Sequence, residues 1–362
     1  MDSDSIRVLV NTPDAQQSGG VSTYCRLLLE RLPIDTASFV VGRREPTEGR
    51  LRALSRMMAD YLRFWRVLRR GGYDVVHVNT SLRPKAMLRD ALFVWVAIRL
   101  KKKVFVMFHG WDPGFERTVR RWGKPLLRLT FFRAGAIMVL ARDFQKSLVA
   151  MGCDASRTYL GSTIVDDSEF EFHASSVTRT RQLSDPFNVL FLARVEKYKG
   201  IYELLASYRL LKGRYPQCRL TIVGDGSEVA GAREYVIRNG LTDVVFTGYL
   251  EGDAKHQVFL RSHCYVLPSY AEGMPTSLLE AMSHGLPAVT TLVGGVRDFF
   301  VDGRMGYSVE IADPQVLSKS LELLLISPDR SAQMGQYNWD FAKSHFAASR
   351  VAAYINTIYH TL

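Results

Sequence analysis

Short apolar runs alternate along this chain with longer stretches in which apolar residues recur every three to four positions. The first run, residues 6–10, ends at Asn11. A loop then reaches Gly19-Gly20, and the next stretch, 22–32, carries Leu27, Leu28 and Leu32 at helical spacing. Strand, glycine loop, helix is how a doubly wound α/β domain opens. The rhythm predicts further strands at 39–41, 75–78, 104–108 and 136–140, and helices at 51–70, 84–100, 117–133 and from Asp143 onward. Such alternation implies a parallel sheet covered on both faces.

Residues 162–186 break the pattern. Asp166, Asp167, Glu169 and Glu171 lead into a polar stretch without periodicity that closes on Asp185-Pro186, so a linker is expected there. The rhythm then restarts, with strands at 188–193, 219–223, 244–247, 264–267 and 288–291 and helices at 200–213, 228–239, 253–262 and 276–284. A helical tail runs from Asp313 to the end. The expected organisation is two Rossmann-like domains, 1–180 and 181–340, with a last helix near 340–362 packing back on the first. Doubly wound domains in tandem are expected to face a central cleft lined by C-terminal strand ends.

Length and composition agree with this reading. A chain of 362 residues suits two domains of about 100–200 residues each. With 47% hydrophobic and 23% charged residues, disordered and fibrous classes are excluded. Charge adds something new. The net +11 belongs wholly to residues 1–180, and residues 41–150 hold 24 Lys and Arg against 8 Asp and Glu, while 181–362 sums to zero. An anionic partner is therefore expected for the first domain. Cys25, Cys153, Cys218 and Cys264 are separated by 128, 65 and 46 residues, which fits neither a metal site nor a disulfide framework. Buried thiols in a reducing compartment are expected. The acidic, polar start does not read as a signal peptide. The longest apolar run, 91–98, has eight residues, where a spanning helix needs about 20; a soluble or membrane-peripheral protein is expected.

Chemistry concentrates in Ser269-Tyr-Ala-Glu272-Gly273-Met274-Pro275-Thr276-Ser-Leu-Leu-Glu280-Ala-Met-Ser-His284-Gly-Leu-Pro287. A strand ends in a Pro/Ser loop, and Thr276 or Ser277 is expected to cap the helix that follows. That N-terminus offers unpaired N–H groups and a positive dipole end to a phosphate or hydroxyl. Glu272 lies just before it, and Glu280 one turn inside, where it can accept two hydrogen bonds from a vicinal diol. Read alone, the pair is equally a set of surface carboxylates. Arg194 and Lys199 are five apart across a strand end and a helix start, with Gly200 allowing close approach; the choice is between a solvated basic loop and fixed positive charge for a leaving diphosphate. Glu196 and Lys197 are expected to face solvent.

Gly19-Gly20 permits positive φ and bare N–H groups toward an anion, or forms a simple turn. His109 ends its strand and is expected at the sheet's C-terminal edge, a position often structural. His284 is expected at its helix's C-terminal end, where a cation suits the dipole. Gly224-Asp-Gly226 follows a strand, but Ser227-Glu-Val breaks G-x-G-x-x-G, so no nicotinamide fingerprint is present.

Glu272 and Glu280 resemble the E-x7-E motif of retaining nucleotide-sugar glycosyltransferases with two Rossmann-like domains, and residues 272–282 look like family 4 of that group. Phe191-Leu-Ala-Arg194-Val-Glu-Lys-Tyr-Lys199-Gly200 resembles the strand–loop–helix whose Arg and Lys hold the donor diphosphate. Thr221-Ile-Val-Gly224-Asp-Gly226 and Val245-Phe-Thr-Gly248-Tyr249 resemble the strands framing the nucleobase pocket. The match covers nearly all of 188–310; at the other end it is looser, resting on Gly19-Gly20-Val-Ser-Thr-Tyr and Phe108-His109-Gly110. The resemblance implies a GT-B fold. It implies catalytic roles for Glu272, Arg194, Lys199 and His109, with Gly19, Gly20, Gly224, Gly248, Tyr249, Gly273, Met274, Pro275, Thr276 and Glu280 binding the donor.

The implied reaction is hexosyl transfer from a nucleotide-diphosphate sugar to a hydroxyl of a lipid-linked or cell-surface glycan precursor. It proceeds on one face, the departing phosphate oxygen taking the acceptor proton, and uses no cofactor besides the donor. No D-x-D triplet follows an expected strand, which favours a metal-free site. A non-transferring nucleotide-sugar enzyme (an epimerase or hydrolase) and a donor-binding subunit are the alternatives.

Residues 55–70 place Met57, Met58, Tyr61, Leu62, Trp65 and Leu68 against Arg63, Arg66, Arg69 and Arg70; 117–133 is similar, with Pro125 expected to kink it. Lys101–Lys103 adds three cations. Such helices either pack on the sheet with solvated arginines or rest on an anionic leaflet. Two of them, with the charge imbalance, favour an anionic membrane surface and a peripheral, cytoplasmic location on the inner face. No nucleic-acid motif is present.

Overall fold

A computed structural model of the chain describes residues 6–14, 19–42, 49–173 and 186–362. The expected start at 1–5, most of the expected linker and the 180/181 boundary lie outside the described residues. The chain divides into two compact units, Met1–Ile164 with Ala348–Leu362, and Val165–Ala347.

In the first unit, β1 (Arg7–Thr12), β2 (Asp35–Val40), β3 (Val75–Leu82), β4 (Lys103–Trp111), β5 (Ala136–Val139) and β6 (Thr158–Leu160) form one parallel sheet in the order β2-β1-β3-β4-β5-β6. In the second, β7 (Asn188–Leu192), β8 (Arg219–Val223), β9 (Val244–Gly248), β10 (Cys264–Leu267), β11 (Ala288–Thr291) and β12 (Gly306–Val309) form another, in the order β12-β11-β10-β7-β8-β9. The central strands are buried and mostly apolar, as strands covered on both faces must be, although β3 also buries His77, Asn79 and Thr80. Both sheets are Rossmann-like. The sequence pattern misses β6 (Thr-Tyr-Leu) and β12 (Gly-Tyr-Ser-Val), short edge strands without a continuous apolar run.

The helical tail is three helices, Pro314–Ile326, Pro328–His345 and Ala348–Thr361. Asp313 caps the first through the Gln315 and Val316 N–H groups, and Pro328 starts the second where its missing N–H costs nothing. The last belongs to the first unit. It packs on the helix Gly20–Arg31, and its Tyr359 hydroxyl lies 2.6 Å from His77 Nδ1 on β3. Residues 165–170 belong to the second unit, since the Val165 N–H donates to the Phe346 carbonyl and Trp339 Nε1 to that of Phe170.

Two expectations about the basic helices need correction. The 117–133 segment is not a kinked helix but Pro113–Thr118, a π-helical turn Val119–Gly123, Lys124–Leu129 and a 3₁₀ turn Phe131–Arg133. Pro125 sits in the first turn of the third piece. The apolar residues of helix Arg50–Arg70 do not share one face. Tyr61, Phe64 and Leu68 enter the core, while Leu51, Leu54, Met58, Leu62 and Trp65 are exposed. The contacting helix Pro84–Arg99 does likewise, burying Met87, Phe93 and Val94 and exposing Leu88, Leu92 and Trp95.

Candidate active site

β7 and β10 are neighbours at the point where the second sheet reverses its winding, the place at which doubly wound sheets take ligands beyond their C-terminal strand ends. Two loops meet there. The β7 loop carries Arg194 and Lys199 and ends at Gly200, whose φ is +77°. A Cβ at Gly200 would stand 2.1 Å from the Pro268 carbonyl of the β10 loop, so only glycine lets the loops touch. The Ser269 hydroxyl and the Tyr270 N–H both donate to the Tyr198 carbonyl, at 3.2 and 2.8 Å. This approach sets Lys199 Nζ 2.6 Å from Glu272 Oε1, with both side chains largely buried. Arg194 is exposed and hydrogen-bonds the Tyr198 hydroxyl. Its guanidinium lies 5.6 Å from the Tyr198 ring centre and the Lys199 ammonium 5.4 Å. Two cations thus flank one ring beside one carboxylate.

The Glu272 backbone is held from the other side. Gly294 has φ +55°, and a Cβ there would meet the Glu272 carbonyl at 2.1 Å; the Gly295 N–H donates to the Gly273 carbonyl at 2.7 Å. Helix Thr276–Ser283 follows at once. Its N-cap is Pro275, with no side-chain cap. The expected cap by Thr276 or Ser277 is therefore not seen: Pro275 presets the turn, Thr276 is already helical, and the Ser277 hydroxyl pairs with that of Tyr265 at 2.7 Å. Glu280 Oε1 accepts from Lys255 Nζ at 3.0 Å, and Lys255 also lies 3.6 Å from Glu169 Oε1. Burial works against the Lys255 ammonium, but the Glu280 and Glu169 carboxylates outweigh it and hold its pKa above the ordinary value.

The other expected donor contacts lie along the same sheet edge. The Gly224 N–H donates to the Gly248 carbonyl at 2.8 Å, and the Tyr249 N–H to the Asp225 carboxylate at 3.2 Å. Tyr249 is exposed, Met274 is half-buried against the core and Pro275 is buried.

In the first unit the winding reverses between β1 and β3, and a hydrogen-bonded chain crosses the strand ends there. Asn79 Nδ2 donates to the Asn11 carbonyl at 2.9 Å, which turns Asn79 Oδ1 toward His109 Nε2 at 2.6 Å. The Nε2 of His109 is therefore the protonated nitrogen. Burial pushes the His109 pKa down to about 3, so the ring is neutral; Tyr24 packs edge-on to it at 4.6 Å. Gly19 does not adopt the positive φ expected of it. It is extended, a Cβ there would meet nothing within 4 Å, and Gly20 is the first residue of its helix.

Residues 18–169 match the model described as Glycosyltransferase Family 4, and residues 178–340 match Glycosyl transferases group 1. The chain belongs to the family 4 glycosyltransferases of GT-B fold. Among curated relatives, the amylovoran biosynthesis glycosyltransferase AmsK of Erwinia amylovora is 25% identical over 229 residues, covering 61% of this chain and 55% of the relative. The putative colanic acid biosynthesis glycosyltransferase WcaL of Salmonella typhimurium is 26% identical over 230 residues, with the same coverage. The chain thus spans little more than half the length of these relatives. Among solved structures, Anabaena Alr3699/HepE in complex with UDP and glucose superposes with a TM-score of 0.75 at 18% identity, over 99% of this chain and 100% of that one; the likeness is one of fold.

Beside the motif residues of this family 4 member stand groups that its sequence did not single out. The sequence alone assigns Tyr198 no part. Lys255 and Gly294 carried no local signal, because their partners lie 20 or more residues away. Glu196 is half-buried rather than free in solvent, accepting from the Ser227 N–H and hydroxyl, which hold its pKa below the usual carboxylate value. His284 stands at the C-terminal end of helix Thr276–Ser283, as expected. It is buried, stacks on Phe259 at 4.5 Å, and its Nδ1 lies 2.8 Å from the Glu280 carbonyl. Near it, Glu169, His256 and His284 come together among the described residues as a group able to hold a metal ion.

Proposed function

We propose that this family 4 member is a retaining glycosyltransferase that moves a hexosyl group from a nucleotide-diphosphate sugar to a hydroxyl of a lipid-linked or cell-surface glycan precursor. The observation that carries this reading is the Lys199–Glu272 pair beside Arg194, at the winding reversal and next to an uncapped helix N-terminus. Cleaving C1–O of the donor leaves negative charge on the β-phosphate. Lys199, Arg194 and the first-turn N–H groups are fixed donors for that charge. Glu272 keeps the Lys199 ammonium in place, and Glu280 accepts from a vicinal diol with the carboxylate capacity that Lys255 leaves open. The departing phosphate oxygen takes the acceptor proton, so no side-chain nucleophile is needed and the anomeric configuration is kept. His109, neutral and donating through Nε2, has its Nδ1 lone pair left for a sugar hydroxyl. Support for a nucleotide sugar also comes from HepE, seen with UDP and glucose, and for a glycan acceptor from the relatives named for amylovoran and colanic acid biosynthesis.

The exposed Leu, Met and Trp side chains of helices Arg50–Arg70 and Pro84–Arg99 support a peripheral position on an anionic inner leaflet. Arg69 lies 4.8 Å over Trp65 and Arg99 4.9 Å over Trp95. Among the described residues no helix is long and apolar enough to cross a membrane.

The test is a panel of nucleotide-diphosphate sugars with a lipid-linked acceptor fraction. A true donor at 100 times its Kd should add about 2.7 kcal/mol of stability, and the product should keep the donor's anomeric configuration. Release of free sugar or of an epimerised donor, equally with and without acceptor, would overturn transfer.

A further inference from the structure

We propose that Glu169, His256 and His284 form a binding site for one tetrahedral divalent metal ion, zinc being the ion that its donor set favours. The three side chains come from separate parts of the second unit: Glu169 from the 3₁₀ segment Asp167–His173, His256 from helix Gly252–Arg261, and His284 from the end of helix Thr276–Ser283. Their donor atoms converge. His256 Nδ1 is 3.2 Å from Glu169 Oε2, His284 Nε2 is 3.5 Å from the same oxygen, and the two nitrogens are 3.4 Å apart. Bonds of about 2.0–2.1 Å in a tetrahedral zinc site put neighbouring donor atoms about 3.3–3.4 Å apart. The three atoms therefore outline one face of such a tetrahedron.

Two further observations point to an ion. Glu169 is more than nine-tenths buried, and its Oε2, the oxygen aimed at both imidazoles, accepts no hydrogen bond. A buried carboxylate oxygen in that state is costly unless a cation meets it. The His284 ring is also set for metal binding. Its Nδ1 lies 2.8 Å from the Glu280 carbonyl; a carbonyl only accepts, so in the neutral ring Nδ1 carries the hydrogen and Nε2 turns its lone pair toward Glu169. Metal-binding imidazoles are commonly oriented in this way, by giving the other N–H to a carbonyl or carboxylate.

The donor chemistry selects the ion. Two imidazole nitrogens with one carboxylate oxygen suit zinc and its neighbours; magnesium and calcium prefer six or more oxygens. Lys255 engages Glu169 through Oε1, leaving Oε2 to bind the ion through one oxygen. The ion would tie the segment following Ile164 to two helices, one of which carries Glu280. It is separate from any metal on the donor phosphates, since these ligands include neither Lys199 nor Glu272.

The experiment uses tag-free full-length protein, stripped with a chelator and dialysed, then titrated with Zn²⁺ or Co²⁺ alone. One ion should bind per chain, Co²⁺ should show the strong visible bands of a tetrahedral complex, and Zn²⁺ but not Mg²⁺ should raise Tm. Glu169→Gln, His256→Gln and His284→Gln should each weaken Co²⁺ binding at least tenfold, while His345→Gln, at an exposed site, should not. Glu169→Gln is isosteric and His256 is only partly buried, so those two variants decide the matter if His284→Gln fails to fold. Failure of the wild type to take up a stoichiometric ion, or unchanged uptake in both Glu169→Gln and His256→Gln, overturns the site.

Discussion

At the scale of single residues, the site consists of two Lys–Glu pairs bracketing one short helix, and they have different work to do. Lys199 shares its ammonium with Glu272 and, on our reading, with a leaving diphosphate. Losing one such preorganised donor typically costs about 2.7–4 kcal/mol of barrier. Lys199→Ala and Arg194→Ala should each lower kcat about 10²- to 10³-fold with the fold intact by circular dichroism; near-normal kcat in both would remove the diphosphate assignment. If Glu280 holds a diol of the donor, as proposed, that contact serves ground and transition states alike, so Glu280→Ala should raise KM with little change in kcat. A steady-state series showing a pure kcat loss would contradict that role. The acidic pair and the Arg/Lys pair were legible in the sequence because each lies within one local segment. The pairing of Glu280 with Lys255 was not, because the two sit 25 residues apart on different helices and meet only when α/β layers stack.

At the scale of elements, periodicity in helix Arg50–Arg70 shows many apolar positions but not which of them the sheet takes. Packing decides it. Phe64 and Leu68 are buried almost completely, while Leu51, at 84% exposed, and Leu54, Met58, Leu62 and Trp65 run along the outside among arginines. On the proposed reading this stripe rests on the leaflet. The protein should co-sediment with phosphatidylglycerol vesicles and not with neutral ones, and binding should weaken as screening shortens from about 10 Å at 0.1 M salt to about 3 Å at 1 M. Arginines near a leaflet contribute about 1 kcal/mol each. Replacing Arg63, Arg66, Arg69 and Arg70 with Gln should therefore release the protein, and Leu51→Ser with Met58→Ser and Leu62→Ser should do so even at low salt. Wild-type indifference to anionic vesicles would point the charge toward an acidic acceptor.

At the scale of the whole molecule, the chain returns to its first unit through Ala348–Thr361, and the His77–Tyr359 pair is a polar tie of that return. Burial drives the His77 pKa from 6.5 down to about 3, aided by the neighbouring His109. The folded state thus refuses a proton that the unfolded chain accepts. Stability from His77 is complete above pH 6.5 and is lost as pH falls toward 3, at about 1.4 kcal/mol per pH unit. Calorimetry from pH 7 to 4.5 should show Tm falling more steeply in the wild type than in His77→Gln; equal slopes would mean that His77 titrates normally. Tyr359→Phe, which leaves the buried Nδ1 unpaired, should cost about 1–3 kcal/mol at neutral pH. By itself the sequence determined the layered α/β class, most strands of both sheets, the family and the motif residues of the donor-side loops. Those features are written in short-range periodicity and in residues close together along the chain. Only the tertiary structure decided where the units divide, which helix faces are buried, how Gly200 and Gly294 clamp the Glu272 loop, and that Glu169, His256 and His284 meet. Each of these depends on contacts between segments far apart in sequence, which no local pattern encodes.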